Sequence, residues 1–278
     1  MELKQNPFSV YDFLGYFTPG ATFLYAALVI ANHSEGRKNA VELVSEQLSF
    51  DKAEIYIPFV LLAYTLGHLL SFLSSITVER YSIWAHGYPS KYLLGMKHDG
   101  YFAIKKLPIP RWIVRLLVAA LLLPVSLLDC VLGRLGQMRG LYTKSLDPLL
   151  IEVIRAKVLA LMKHQGEIDP GAHGTAAGHD YFRFAYHYAV ERAPNHLPKM
   201  QNYVALFGFL RTTTLMSVMF FWVMVWHVFA NPLHWHAATL LLAAGAFSSF
   251  MFYMAFVKFY RRFSLEALMA VAITFRSK

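Results

Sequence analysis

The sequence predicts an all-α, polytopic membrane protein with four spans plus one re-entrant or interfacial segment; the alternative count is five spans. Three observations predict it. Of the 278 residues, 56% are hydrophobic and only 15% are charged, with a mean hydropathy of +0.40, whereas soluble domains carry about 25% charged residues. Five apolar stretches come near the roughly 20 residues that a spanning helix needs. Lysine and arginine are confined to particular connections, as they are where loops stay in the cytoplasm. An ordinary soluble enzyme, a disordered chain and a disulfide-stapled fold are excluded. The single cysteine, Cys130, also excludes a Cys-based zinc or iron–sulfur site.

The first stretch, 13–31, contains Pro19-Gly20, which should kink or shorten a helix. Before it stand Glu2, Lys4 and Asp12, a poor start for a cleaved signal peptide, so the stretch reads as an uncleaved first span. The second, 55–78, is free of formal charge from Ile55 to Val78. The third, 113–132, carries Arg115 and Asp129. The fourth and fifth are 212–230, after Arg211, and 237–257, before Lys258.

Charge decides which of these cross. The connection between the first two holds Arg37, Lys38 and Lys52 against five acids, a periplasm-like balance. From Arg80 to Arg111 there are six basic residues, and from Arg134 to Lys199 there are nine. Both belong in the cytoplasm, yet they flank the same stretch, 113–132. A segment cannot cross once and keep both ends on one side. Arg115, Ser126 and Asp129 also fall on one narrow face of a helix, and Pro124 offers a place to turn back. The stretch is therefore read as re-entrant or interfacial, and both termini as cytoplasmic.

Three regions follow: an N-terminal membrane part (1–132), a cytoplasmic helical region (133–202), and a C-terminal membrane hairpin (203–278) with a basic amphipathic tail. In the middle region Asp147-Pro148 is a helix-start signal, an acidic N-cap followed by proline at N1. A glycine-rich loop runs from Gln165 to Asp180, and a second helix from about Asp180 to Arg192. These residues are too few for an independent core, so they should pack on the membrane face and on each other. Aromatic and arginine residues in Lys258-Phe-Tyr-Arg-Arg-Phe predict a tail anchored at the interface.

Polar residues inside apolar helices are costly and mark functional or packing sites. Tyr64, His68, Ser71, Ser75 and Glu79 recur at helical spacing and predict one polar stripe on the second span. It serves either as an ion path, with His68 titrating, or as hydrogen-bonded glue between helices. A second group, Arg80, Asp129, Arg183, His187 and Arg211, is expected at the cytoplasmic interface, where its members pair or meet lipid phosphate. His179 and His187 are eight residues apart, about 12 Å along a helix. That is too far to chelate one ion, and His173 alone does not make up the set; no metal site is expected. In the fifth stretch Ala244/Ser248 and Gly245/Ser249 form a small-residue packing face.

Four blocks, Tyr11-Asp-Phe-Leu-Gly-Tyr-Phe-Thr-Pro-Gly20, Gly67-His-Leu-Leu-Ser-Phe-Leu-Ser-Ser75, Asn202-Tyr-Val-Ala-Leu-Phe-Gly-Phe-Leu-Arg211 and Lys258-Phe-Tyr-Arg-Arg-Phe-Ser264, resemble segments of a group of uncharacterised bacterial inner-membrane proteins. The resemblance implies a bacterial inner membrane. The group has no established activity, so nothing mechanistic follows from it.

No nucleotide loop, nucleophile elbow, zinc-protease motif or dinucleotide fingerprint occurs. The expected function is therefore non-enzymatic, through self-association into a homo-oligomer or binding of a cytoplasmic protein partner. A channel or transporter using the Tyr64–Glu79 stripe is the alternative, and a lipid-modifying enzyme the third. The net charge of +9 favours anionic lipid head groups as partners. No nucleic acid is expected, since no recognition module accompanies the charge, and no cofactor is expected.

Overall fold

A computed structural model of the chain describes residues 12–33, 53–101, 108–166, 181–230 and 234–276. The connection holding Arg37 and Lys38, the segment with His173 and His179, and the turn at 231–233 lie outside the described residues. All regular structure among the described residues is helical.

A π-turn, Phe13–Phe17, opens into α1, Thr18–His33. Helix α2, Ala53–Ser74, runs through a second π-turn, Ser75–Glu79, into α3, Arg80–His86, and α4 is the short Pro89–Tyr92. Then come α5, Ile109–Leu121, and α6, Leu123–Leu128, which continues as a π-turn over Asp129–Leu135. Helices α7, Pro148–Gln165, and α8, Phe182–Arg192, precede the two longest, α9, Leu197–Ala230, and α10, Trp235–Thr274.

Among the described residues four helical stretches are long and apolar enough to cross a membrane, those beginning at Phe13, Tyr56, Leu197 and Trp235, or five if a bent pair counts as one span. Their outward sides carry Leu61, Phe72, Phe229 and Leu240, each more than half exposed, as a lipid-facing surface requires. The stretch expected to be re-entrant or interfacial is broken: α5 and α6 lie 91° apart. The break falls at Leu122, just before Pro124, whose ring cannot continue a helix and whose missing N–H leaves a carbonyl free. A hydroxyl bridges the bend at the neighbouring carbonyl, because Ser126 Oγ donates at 2.9 Å to Ala119, one residue before the Ala120 carbonyl that Pro124 leaves without its helical donor.

Helices α1 and α2 are antiparallel, with Tyr25 against Phe59 at one end and Tyr16 against Tyr64 and His68 at the other. Phe23 stacks on Phe220 of α9, and Gly15 and Tyr16, just before α1, share a cavity with Gly208 and Arg211, so α1 and α9 run in the same direction. Helices α9 and α10 form an antiparallel hairpin closed by Ser217 and Ser249, whose hydroxyls meet at 2.9 Å, and by Gly245 under Met224. The expected small-residue face is thus divided. Gly245 and Ser249 are buried within the hairpin, while Ala244 and Ser248 remain exposed. These directions bring the Phe13 end of α1 and the Phe275 end of α10 to the same end of the bundle.

The main departure from expectation lies there. With 40 residues, α10 is about 60 Å long at 1.5 Å per residue, twice the roughly 30 Å of a bilayer's apolar core. Its second half is no surface tail. Phe263, Ala267, Leu268, Ala270 and Val271 are buried against α4, α7, α8 and the start of α9. An amphipathic pattern buries its apolar face equally well against lipid or protein, and here the protein supplies the cover. The basic side chains lie around the rim: Arg261 donates to the Lys144 carbonyl at 2.7 Å, and Arg262 sits over the Phe259 ring.

The middle region is likewise packed rather than freestanding. Asp147 caps α7 by accepting from Leu149 N at 2.9 Å, as its Asp-Pro signal predicts. Arg155 then ties α7 to the Leu94 carbonyl at 2.6 Å. A helical layer results, built from α4, α7 and α8 on the prolonged ends of α9 and α10.

Candidate functional site

Two polar clusters sit where the bundle meets this layer, and consecutive residues join them. Glu79 belongs to one, Tyr81 to the other, and Arg80 lies between.

The first cluster centres on Arg211 of α9. Its Nη1 donates to Glu79 Oε2, its Nε to Ser74 Oγ at 3.1 Å, and its Nη2 to both the carbonyl and the hydroxyl of Ser71 at 3.2 Å. Ser74 also faces Thr212 Oγ1 at 3.4 Å. The guanidinium and carboxylate are both mostly buried, where such a fork-shaped cation is worth most. An ideal α-helix drifts by about 80° over eight residues. The wider turn at Ser75–Glu79 takes up an extra residue, and Glu79 and Ser71 reach the same guanidinium.

That turn corrects the single stripe. Ser71 and Glu79 converge on Arg211, but Ser74 joins them in place of Ser75, whose hydroxyl donates to the Phe72 carbonyl at 2.7 Å. Tyr64 and His68 face a different neighbour. His68 stacks on Tyr16, in the π-turn that leads into α1, at 3.9 Å between centroids and meets the Tyr64 edge at 4.6 Å. The stripe therefore divides between α1 and α9 instead of facing one path.

The second cluster centres on Asp129, whose side chain is 1% exposed. Its carboxylate accepts from Tyr142 Oη at 2.6 Å, Arg139 Nη2 at 2.6 Å and Tyr81 Oη at 3.3 Å. His86 Nε2 stands 3.7 Å away and bonds Tyr253 Oη at 3.0 Å. Gly133 makes room, since a Cβ there would lie 2.6 Å from both Asp129 Oδ1 and Tyr142 Oη. The bent pair is thus pinned to α3, α10 and the loop after it.

The expected interface group is consequently not one cluster. Arg211 pairs with Glu79, not Asp129; Asp129 pairs with Arg139. Arg80 and Arg183 line a cavity of about 450 Å³ with Glu79, and His187 is exposed beside Tyr186. Sequence reasoning missed Arg139, Tyr142, Tyr81, His86 and Tyr253. Only Gly133, one helical turn after Asp129, hints that something must approach the carboxylate closely. Among the described residues no three His, Cys, Asp or Glu side chains converge to hold a metal.

Outside the spans, burial raises the hydroxyls of Tyr101, Tyr142 and Tyr181, and the first two carry the clearest pH signature. Burial first, then the Asp129 carboxylate, raises the Tyr142 hydroxyl well above the ordinary tyrosine value. Burial pushes Tyr101, whose Oη donates to the Arg115 carbonyl, up to about 12 against the opposing charge of Arg115. Both hydroxyls are protonated in the folded protein where a free tyrosine, near about 10, ionises. Their contribution to stability is complete below about pH 10 and is lost as pH rises toward the folded values. Phenolate absorbance in an alkaline titration should show a late-ionising class coincident with unfolding, smaller by one residue in Tyr142→Phe.

No protein-family model, curated protein or solved structure matches this chain.

Proposed function

We propose that this protein is a non-enzymatic component of the bacterial inner membrane that works by association, binding a cytoplasmic partner or further copies of itself. One observation carries the reading: α9 and α10 pass without a break from the apolar bundle into the helical layer. A partner docked on α7 or α8 would therefore load the spans through rigid helices rather than through a linker. The charged groups at the junction engage one another, Arg211 with Glu79 and Arg139 with Asp129, which suits a fixed coupling element. The orientation with both termini in the cytoplasm is supported by the nine basic residues between Arg134 and Lys199.

Native mass spectrometry of the chain extracted with its lipids, together with cross-linking in cells, tests this. A stable oligomer or a reproducible stoichiometric partner is the expected result. A strictly monomeric chain with no partner overturns it.

A channel is the second reading, and a specific observation favours it. A cavity of about 190 Å³ opens beside Tyr16, Ser71, Gly208 and Arg211, next to the stacked Tyr16, His68 and Tyr64. Proteoliposomes that pass ions or protons, with flux abolished by His68→Ala, would establish it in place of association.

A further inference from the structure

The bent pair leaves the junction, reaches part-way along the bundle and comes back. Both of its limbs are tied to α3 and the loop behind it. Arg115 of α5 donates to the Tyr101 carbonyl at 2.7 Å and lies over the Trp84 ring, while Asp129, at the end of α6, accepts from Tyr81 at 3.3 Å. The bend between them is held at another level, where the Trp222 indole N–H of α9 donates to the Leu121 carbonyl at 2.8 Å. Trp222 stands eleven residues past Arg211 on α9, about 16 Å at 1.5 Å per residue. The apolar core of a bilayer is about 30 Å thick, so the bend lies near its middle.

At that depth the cover is lipid. Ile113, Leu117 and Leu121 follow at steps of four along α5 and are 48%, 64% and 43% exposed; Leu123 and Leu127 continue the surface past the bend. Between Trp112 and Asp129 the one formal charge is Arg115, already engaged by the Tyr101 carbonyl. Such a surface suits acyl chains. The limbs stand 91° apart, so the pair is widest at the junction surface and narrows toward the bend. Spanning helices add cross-section to both leaflets, whereas the bent pair adds it to one. From this geometry we infer that the bent pair is a wedge among the acyl chains of the junction-side leaflet, and that the protein favours bilayer that is convex on that side. Helices inserted from one face of a membrane are sensitive to curvature for the same reason. The inference depends neither on association nor on which compartment the junction faces.

The test uses the full chain in a Cys130→Ala background, reconstituted in phosphatidylcholine and phosphatidylglycerol. Ile109→Cys and Leu135→Cys, at the two ends of the pair, should react with a membrane-impermeant thiol reagent from the same side as Arg276→Cys. Leu121→Cys at the bend should react from neither side. Reaction of Ile109→Cys and Leu135→Cys from opposite sides, or of Leu121→Cys with the impermeant reagent, overturns the wedge.

Curvature is then read on tubes drawn outward from giant vesicles. An impermeant dye on Arg276→Cys marks the copies whose junction faces outward, and these should be enriched on the tube over the flat membrane. I113A/L117A/L121A trims exposed side chains and leaves Arg115 and Trp222 in place, and it should lose most of that enrichment. Leu117→Ala acts in the same direction if the triple variant does not fold. Enrichment that survives trimming, or that is absent when copies are sparse and appears only when they are crowded, overturns the wedge; the second result belongs to association.

Discussion

Asp129→Ala is expected to lower stability by about 3 kcal/mol, the low end of the cost of breaking a buried ion pair. The low end applies because Arg139 is 32% exposed at its side chain and can regain water. Tyr142 and Tyr81 fare worse, since both are buried and lose the acceptor they share. The cost falls on the attachment of the bent pair, because Asp129 begins the π-turn that follows α6. Asp129→Asn keeps the shape and loses the charge, so it should cost about half as much. Thermal melts in one detergent separate the two. Equal, negligible shifts would mean that the carboxylate does not hold this segment.

Gly67→Val is expected to detach α1 from α2. A Cβ on Gly67 would fall inside the Tyr16 carbonyl, and one on Gly20 inside the Ala63 carbonyl. In both places the obstacle is backbone, which cannot rotate aside as a side chain can. The helices must separate, losing the stack of Tyr16 on His68. Overpacking costs about 1–3 kcal/mol, occasionally more, and small-residue contacts hold membrane helices together where water gives no hydrophobic drive. A Tyr25→Cys/Phe59→Cys pair, placed where the two rings face each other, should be joined by a short bifunctional thiol cross-linker in a Cys130→Ala background. Adding Gly67→Val should abolish that cross-link. Its persistence at full yield would show that α1 packs elsewhere.

The sequence made the apolar architecture legible because burial in lipid leaves long uncharged runs, and the break at Pro124 because proline acts locally. Asp147-Pro148 announced the start of α7 for the same reason. The extension of α10 was hidden: Lys258, Arg261 and Arg262 look like an interfacial anchor until α7 and α8 cover the opposite face. The Glu79–Arg211 pair was half legible, both residues having been singled out but assigned to different groups, since the π-turn that aligns Glu79 with Ser71 leaves no sequence signal. The partners of Asp129 were not legible at all. Tyr81, Arg139 and Tyr142, with His86 and Tyr253 beside them, come from three elements, α3, the loop after the bent pair and α10, whose meeting depends on packing order.

The proposed coupling role requires the junction to lie at one side of the membrane, with the bent pair returning to the side it left. Arg261 holding the Lys144 carbonyl ties the loop before α7 to the prolonged end of α10, so both must share a compartment. Paired periplasmic and cytoplasmic reporters fused after residues 140, 175 and 278 measure this directly. All three should report the cytoplasm. Periplasmic signals at 140 and 175 with a cytoplasmic signal at 278 would contradict the account, for the bent pair would then cross the membrane and the two polar clusters would lie on opposite sides.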